Sequence, residues 1–181
     1  STSFFPAKPL GCYGDGGAMF TNDDDLAEKM KMIANHGQNK RYYHKVTGCN
    51  SRLDSIQAAI LNVKLKYLDE YNSNREKMAK TYDIGFGDLE HLNIPHRSSN
   101  STHVFHQYTL KTSPKYRDKL IKYLTKKEIP AMIYYPVPLY KQEAFSSYVP
   151  ENFSIENIEK LCNSVFSLPI HSEKENSQQD K

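Results

Sequence analysis

The 181 residues carry 24 Lys and Arg against 21 Asp and Glu, a net charge of +3, with 38% hydrophobic content. A balance this even gives no whole-chain field for nucleic acid, and no apolar run approaches the ~20 residues of a membrane span. Cys12, Cys49 and Cys162 are odd in number and lack CxxC spacing, which fits a reducing cytoplasm and argues against structural zinc; no charged-then-apolar leader precedes them, so no secretory signal is expected.

The first stretch, Ser3 to Gly17, sets one lysine between two prolines and follows it with glycines. Pro6 and Pro9 fix φ on either side of Lys8 and bias Phe5 and Lys8 away from helix. A lysine packed among aromatics loses hydration of its ammonium, which favours the neutral amine. A neutral amine at a fixed position can form an imine with an aldehyde. Residue chemistry alone also allows a solvated surface lysine, the commoner fate. Gly14, Gly16 and Gly17 allow positive φ and a tight turn. No Gly-Lys-Ser/Thr follows them, so a turn feeding a strand over Ala18 to Thr21 is favoured over a phosphate loop.

Thr21 to Asp25 supply a cap and negative charge for a helix from about Asp24 to Asn35. Leu26, Met30 and Ile33 share its apolar face, and Gly37 is a natural stop. His36 to Cys49 has little apolar periodicity and reads as a loop. Its Lys40, Arg41 and Lys45 meet no acid, and Tyr42 and Tyr43 interleave with them. That pattern suits a solvated loop, single-stranded nucleic acid or a nucleotide diphosphate.

Ser51 to Asp54 resembles a capping box, so a helix is expected from Leu53. Leu53, Ile56, Ile60, Val63 and Tyr67 recur at helical spacing, and the pattern persists towards Tyr82 with a possible bend at Asn72 to Asn74. Asn50 and Arg52 sit just before and at that start. Free amides there attract anions, and the arginine fork suits phosphate oxygens; a turn asparagine and a surface arginine are the plain alternative.

Gly85 to Thr102 is loop-like, and Val104 to Leu110 alternates as a strand. His103 and His106, three apart on that strand, would face opposite sides and could not share a metal ion. Pro114 to Lys127 reads as an amphipathic helix with Leu120, Ile121 and Leu124 inward. Ala131 to Tyr135 is a second strand, broken by Pro136. Ile155 to Cys162 marks a short helix and Val165 to Leu168 a last strand. Tyr134 and Tyr135 end the second strand, where they could pack on the core or meet a substrate.

Two blocks carry a resemblance. Ser3-Phe4-Phe5-Pro6-Ala7-Lys8-Pro9-Leu10-Gly11-Cys12-Tyr13-Gly14-Asp15-Gly16-Gly17-Ala18 resembles the pyridoxal phosphate lysine segment of the DegT/StrS-type nucleotide-sugar aminotransferases (fold type I). Gly48-Cys49-Asn50-Ser51-Arg52-Leu53-Asp54-Ser55-Ile56-Gln57-Ala58-Ala59-Ile60-Leu61 resembles a second segment of that family, in its order and at about its spacing. A weaker match runs through Tyr135-Pro136-Val137-Pro138-Leu139 to Leu168-Pro169-Ile170-His171. Within the family, the members that aminate a 3-keto UDP-N-acetylhexuronate are the most similar.

The resemblance implies an α/β fold: residues 1–70 as the C-terminal part of a large cofactor domain, residues 71–171 as a small α+β domain, and residues 172–181 as a disordered polar tail. It implies pyridoxal 5'-phosphate as cofactor, with Lys8 catalytic and covalently attached, and Ser3, Asn50 and Arg52 on the cofactor phosphate. Asn50 and Arg52 would reach the neighbour's site in a homodimer with shared active sites. Lys40, Arg41, Tyr134 and Tyr135 would contact a nucleotide-sugar substrate, with glutamate as amino donor. Histidine is usual in the family where Tyr134 stands, and often where Tyr140 stands; tyrosine keeps a hydroxyl donor but is no cation near neutral pH. A cytoplasmic enzyme of cell-surface polysaccharide biosynthesis, such as lipopolysaccharide O-antigen, is thus expected. Neither nucleic acid nor membrane is an expected partner. The family carries much of its cofactor site before the lysine, so a C-terminal fragment is expected, inactive alone. The rival is a non-catalytic interaction module of the same fold.

Overall fold

The computed structural model describes residues 1–151 and 153–173, with mixed helix and sheet. The chain divides into two compact units, Ser1–Asp69 and Glu70–Lys181.

In the first unit β1 (Thr2–Ser3) pairs antiparallel with β2 (Gly17–Ala18), so the lysine stretch leaves and returns on adjacent strands. The strand expected over Ala18 to Thr21 stops at Ala18 because β1 offers only two residues to pair with; Met19 and Phe20 are exposed. Helix α1 (Asp24–Ala34) starts on Asp23, whose carboxylate accepts the Leu26 N–H at 3.0 Å, with Asp24 and Asp25 at the positive end of the dipole. It closes with the Gly37 N–H on the Met32 carbonyl at 2.8 Å, the six-to-one bond of a helix stop. His36 (φ 59°) takes the left-handed position after the cap, and Gly37 (φ 73°) is one residue beyond the place expected for it.

Residues 36–49 are not a plain loop. Strands β3 (Gln38–Lys40) and β4 (Tyr43–His44) form an antiparallel hairpin turning at Arg41 and Tyr42, where Tyr42 has φ 69°. The base of the hairpin is closed by glycines: a side chain on Gly37 would strike the Val46 carbonyl, and one on Gly48 would strike the Gly37 nitrogen.

Helix α2 (Ser55–Leu65) begins later than Leu53, and its N-cap Asp54 makes no side-chain bond, so the expected capping box does not form. The chain is held extended instead, because Cys49 and Ser51 donate to the Ile33 and Ala34 carbonyls at 2.9 Å each. Nor does one helix run to Tyr82. It breaks at Lys66 and Tyr67, where the Tyr67 N–H bonds the Lys64 carbonyl three residues back. Helix α3 (Leu68–Phe86) then runs unbroken through Asn72 to Asn74. Weak helix propensity there costs only a few tenths of a kcal/mol per residue and is outweighed by the bonds Asn74 and Arg75 make. The apolar stripe on α2 is also not the packed face of this unit. Leu61 is buried, while Ile56 and Val63 are 73% and 60% exposed.

The second unit is built on a three-stranded antiparallel sheet in the order β5 (Leu92–Asn93), β6 (Tyr108–Thr112), β7 (Val165–Leu168). Tyr108 faces Leu168 and Leu110 faces Phe166, and the Thr109 and Ser167 hydroxyls meet across the ladder at 2.8 Å. The core is Ala79, Phe105, Tyr108, Leu110, Phe166 and Leu168. Helix α4 (Pro114–Lys126) has Pro114 in its first turn, and α5 (Glu156–Ser164) leads directly into β7. Arg117 of α4 is buried and donates to the Cys162 carbonyl at 3.0 Å.

Strand β6 starts at Tyr108, not Val104, because the Phe105 and His106 carbonyls are taken by Arg75 at 3.1 and 3.4 Å and Phe105 has φ 47°. The strand expected over Ala131 to Tyr135 reduces to one bridge, Met132 to Ser167, between Pro130 and Pro136. Of the tail from residue 172, Ser172 accepts from Asn74 at 3.1 Å; residues 174–181 lie outside the described residues. Among the described residues no helix is long and apolar enough to cross a membrane.

Candidate active site

Lys8 stands at the head of the turn between β1 and β2. Its N–H bonds the Phe5 carbonyl at 2.8 Å, the Phe4 N–H bonds the Gly16 carbonyl at 2.8 Å, and the Cys12 N–H returns to the Phe4 carbonyl at 2.8 Å. Gly11 must be glycine for this crossing, since a Cβ there would lie 2.5 Å from the Pro6 carbonyl oxygen and 2.7 Å from that of Phe5. Cys12 is fully buried beneath the turn, its Sγ 2.9 Å from the Phe4 oxygen and 3.1 Å from the Gly14 oxygen. Lys8 is half-buried, but Phe5 beside it is 52% exposed, so Phe5 does not supply the aromatic packing expected around the amine. Gly14, Gly16 and Gly17 do not need positive φ, which Gly37 alone of the glycines has. At Gly16 the need is space: a Cβ would lie 2.8 Å from the Cys12 Sγ.

Ser3 belongs to the same turn. Its Oγ accepts the Phe5 N–H at 3.2 Å and keeps its own proton to donate elsewhere. Helix α2 grips the returning limb: the Tyr13 N–H donates to Gln57 Oε1 at 2.8 Å, and Lys64 Nζ donates to the Gly11 carbonyl at 2.5 Å.

Asn50 and Arg52 lie on the extended lead-in to α2, not on its first turn. Arg52 Nε donates to Asn50 Oδ1 at 3.1 Å, and both residues of the pair are exposed. Lys40 and Arg41 crown the β3–β4 hairpin, each over a tyrosine ring, Lys40 5.4 Å from the Tyr43 centroid and Arg41 4.9 Å from that of Tyr42. All four residues are exposed.

Tyr134 and Tyr135 belong to the second unit, their rings edge to face at 5.7 Å, with Tyr135 72% exposed. The segment after them is pinned by Glu159, which accepts from Tyr140 at 2.6 Å and Ser154 at 2.9 Å and pairs with Lys141 at 2.7 Å. Those donors, Lys141 first, hold the Glu159 carboxyl down at about 2. His103 spends its Nδ1 on the Phe105 N–H at 3.0 Å, and among the described residues no group of three His, Cys, Asp or Glu is placed for a metal. An apolar hollow of about 630 Å3 in this unit, lined by Phe86, Leu92, Leu120, Leu124 and Phe166, contains none of the residues expected to be functional.

Sequence reasoning missed Gln57 and Lys64. A glutamine and a lysine seven apart, with Leu61 between them, do mark one polar-edged helix face, but only the fold shows that this face meets the lysine turn.

The DegT/DnrJ/EryC1/StrS aminotransferase family matches residues 1–181. The chain is 45% identical over 181 residues to the pleiotropic regulatory protein of Geobacillus stearothermophilus, covering 98% of this chain and 48% of that one. It is 43% identical over 170 residues to the UDP-2-acetamido-2-deoxy-3-oxo-D-glucuronate aminotransferase of Pseudomonas aeruginosa, covering 94% and 46%. Among solved structures, DesV of Streptomyces venezuelae superposes with a TM-score of 0.90 at 37% identity, covering 98% and 47%. The chain thus spans about half the length of the relatives it matches.

Proposed function

The chain belongs to the DegT/DnrJ/EryC1/StrS aminotransferase family, with the fold of the type I pyridoxal-phosphate enzymes, and from that premise we propose that the whole protein transfers an amino group to a keto sugar carried on a nucleotide. The reading takes a UDP-linked 3-keto or 4-keto sugar as acceptor, glutamate as donor, and cell-surface polysaccharide synthesis in the cytoplasm as the setting. The observation that carries it is Lys8 at the head of a turn fastened on both limbs.

The residues present fit the cofactor. Lys8 offers the only amine on the turn, Ser3 keeps a hydroxyl proton on the strand that leads into it, and Arg52 carries guanidinium nitrogens that match phosphate oxygens. When bound, pyridoxal phosphate supplies an electron sink for the carbon that loses its proton. Lys8 Nζ would hold the cofactor covalently, and its amine would take the proton from the donor α-carbon and carry it across the site. The Ser3 hydroxyl would donate to the cofactor phosphate. Asn50 and Arg52 complete that phosphate site in the neighbouring subunit of a homodimer, and Lys40 and Arg41 meet the substrate diphosphate. Tyr134 and Tyr135 offer hydroxyls to the sugar.

On this reading the carboxylate that pairs with the pyridinium nitrogen, and the group that stacks on the ring, come from sequence outside these 181 residues, so the chain alone is inactive. The test is borohydride reduction of the whole protein loaded with pyridoxal phosphate, followed by peptide mapping. Pyridoxyl on Lys8 is the expected result; label on another lysine overturns the assignment.

A further inference from the structure

Between β1 and β2 the lysine turn has no helix or strand of its own. Segments of that kind open locally more readily than ladders and helices do. Yet a reacting amine must be held closely, because a displacement of about 1 Å can cost about a hundredfold in rate.

Two side chains supply what the turn lacks, and both come from α2. Gln57 Oε1 accepts the Tyr13 N–H at 2.8 Å. Lys64 Nζ donates to the Gly11 carbonyl at 2.5 Å and lies 5.2 Å from the centre of the Tyr13 ring. The two are seven residues apart, two helical turns, and so project on one face. Leu61 between them is 7% exposed and seats that face. The lysine bond is charge-assisted and thus of the stronger kind.

The returning limb passes this hold to Lys8 through Gly11. That residue is in backbone contact with the Pro6 and Phe5 carbonyls, and Lys8 itself donates to the Phe5 carbonyl at 2.8 Å. Fixing Gly11 and Tyr13 from α2 therefore fixes Pro6, Ala7 and Lys8 from below. We infer that Gln57 and Lys64 are positioning residues for the Lys8 amine, setting where it stands before the cofactor arrives. The inference rests on Lys8 being the cofactor lysine.

The experiment uses the whole protein, stripped of cofactor, with Gln57→Met and Lys64→Met beside Gln57→Glu and Lys64→Arg. The last two keep the acceptor and the donor. Pyridoxal phosphate is the probe: its attachment is followed by absorbance, the site is mapped after borohydride reduction, and amide exchange is read over Gly11 to Tyr13. The methionine variants should speed exchange there and slow attachment to Lys8 by about tenfold or more, while the conservative variants stay within about threefold of the parent. Where a methionine variant does not fold, Gln57→Asn and Lys64→Gln, which shorten the reach, should show the same slowing. Attachment at the parental rate in the reach-shortened or methionine variants overturns the inference, as does equal slowing in the conservative ones. Label missing from Lys8 in the parent is a different result, and it overturns the reading of Lys8.

Discussion

The Tyr108 hydroxyl donates to Asp83 Oδ1 at 2.8 Å inside the second unit, and the other Asp83 oxygen accepts from Arg97 at 2.6 Å. One carboxylate thereby joins α3, the loop before β6, and β6 itself. Burial first, then the bond to Asp83, push the Tyr108 hydroxyl far above its ordinary range. A proton held more tightly in the folded than in the unfolded state adds stability that is complete below the unfolded value of about 10 and is lost as pH rises past it. Tyr108→Phe should flatten the alkaline limb of the stability profile. At neutral pH it should cost about 1–2 kcal/mol, because Asp83 loses a donor. Urea midpoints from pH 7 to 11 check both effects.

Arg75 is 7% exposed and donates to the Phe105, His106 and Ile170 carbonyls and to the Ser172 hydroxyl. Arg75→Met fills the space and leaves the carbonyls without their donor. The expected loss is about 2–4 kcal/mol. Arg75→Lys should recover little, because one ammonium cannot stand in for both Nη1, which serves the carbonyls, and Nε, which serves the Ser172 hydroxyl. Chemical denaturation measures both variants.

Glu159 makes the opposite pH prediction. Its carboxyl is held at about 2, against an ordinary 4.5, by Lys141, Tyr140 and Ser154 in that order. A depressed value adds stability that is present above about 4.5 and is lost as pH falls towards 2. Glu159→Gln should remove that acid-limb slope and loosen the segment from Leu139 to Phe153. Denaturant midpoints between pH 2 and 6, with amide exchange over the segment, decide it.

The proposed sharing of sites predicts complementation. A Lys8→Ala protomer lacks the amine, and an Arg52→Ala protomer lacks the phosphate contact it lends its neighbour; each homodimer should be inactive. In a random mixture half the dimers are hybrids with one intact site, which gives about a quarter of parental activity. Recovery with proven hybrid formation supports the lent residue, and its absence with the same proof counts against it.

The family and the fold class were legible because the lysine stretch and the segment from Gly48 carry dense local patterns. Helix α4 and strand β7 were legible for a similar reason: Pro114 marks a first turn, and Val165 to Leu168 is a short run stopped by Pro169. The break at Lys66 and Tyr67 was not, since neither glycine nor proline marks it. Nothing near Arg75 or Arg117 in the chain marks them as buried, because their carbonyl partners lie 30 to 95 residues away from Arg75 and 45 from Arg117. No local pattern records a partner at that distance. The grip of Gln57 and Lys64 on the lysine turn was hidden in the same way, by separations of 44 and 53 residues.

The contact of Gly37 with Gly48 makes the hairpin between them a cassette. Its two ends are clasped backbone to backbone, and the lead-in carrying Asn50 and Arg52 is zipped separately to the end of α1. Residues added or lost around Arg41 and Tyr42 change the tip and leave the clasp alone. Lengthening or trimming the tip would therefore retune what the crown of Lys40 and Arg41 touches without disturbing the clasp or the lead-in that carries Asn50 and Arg52.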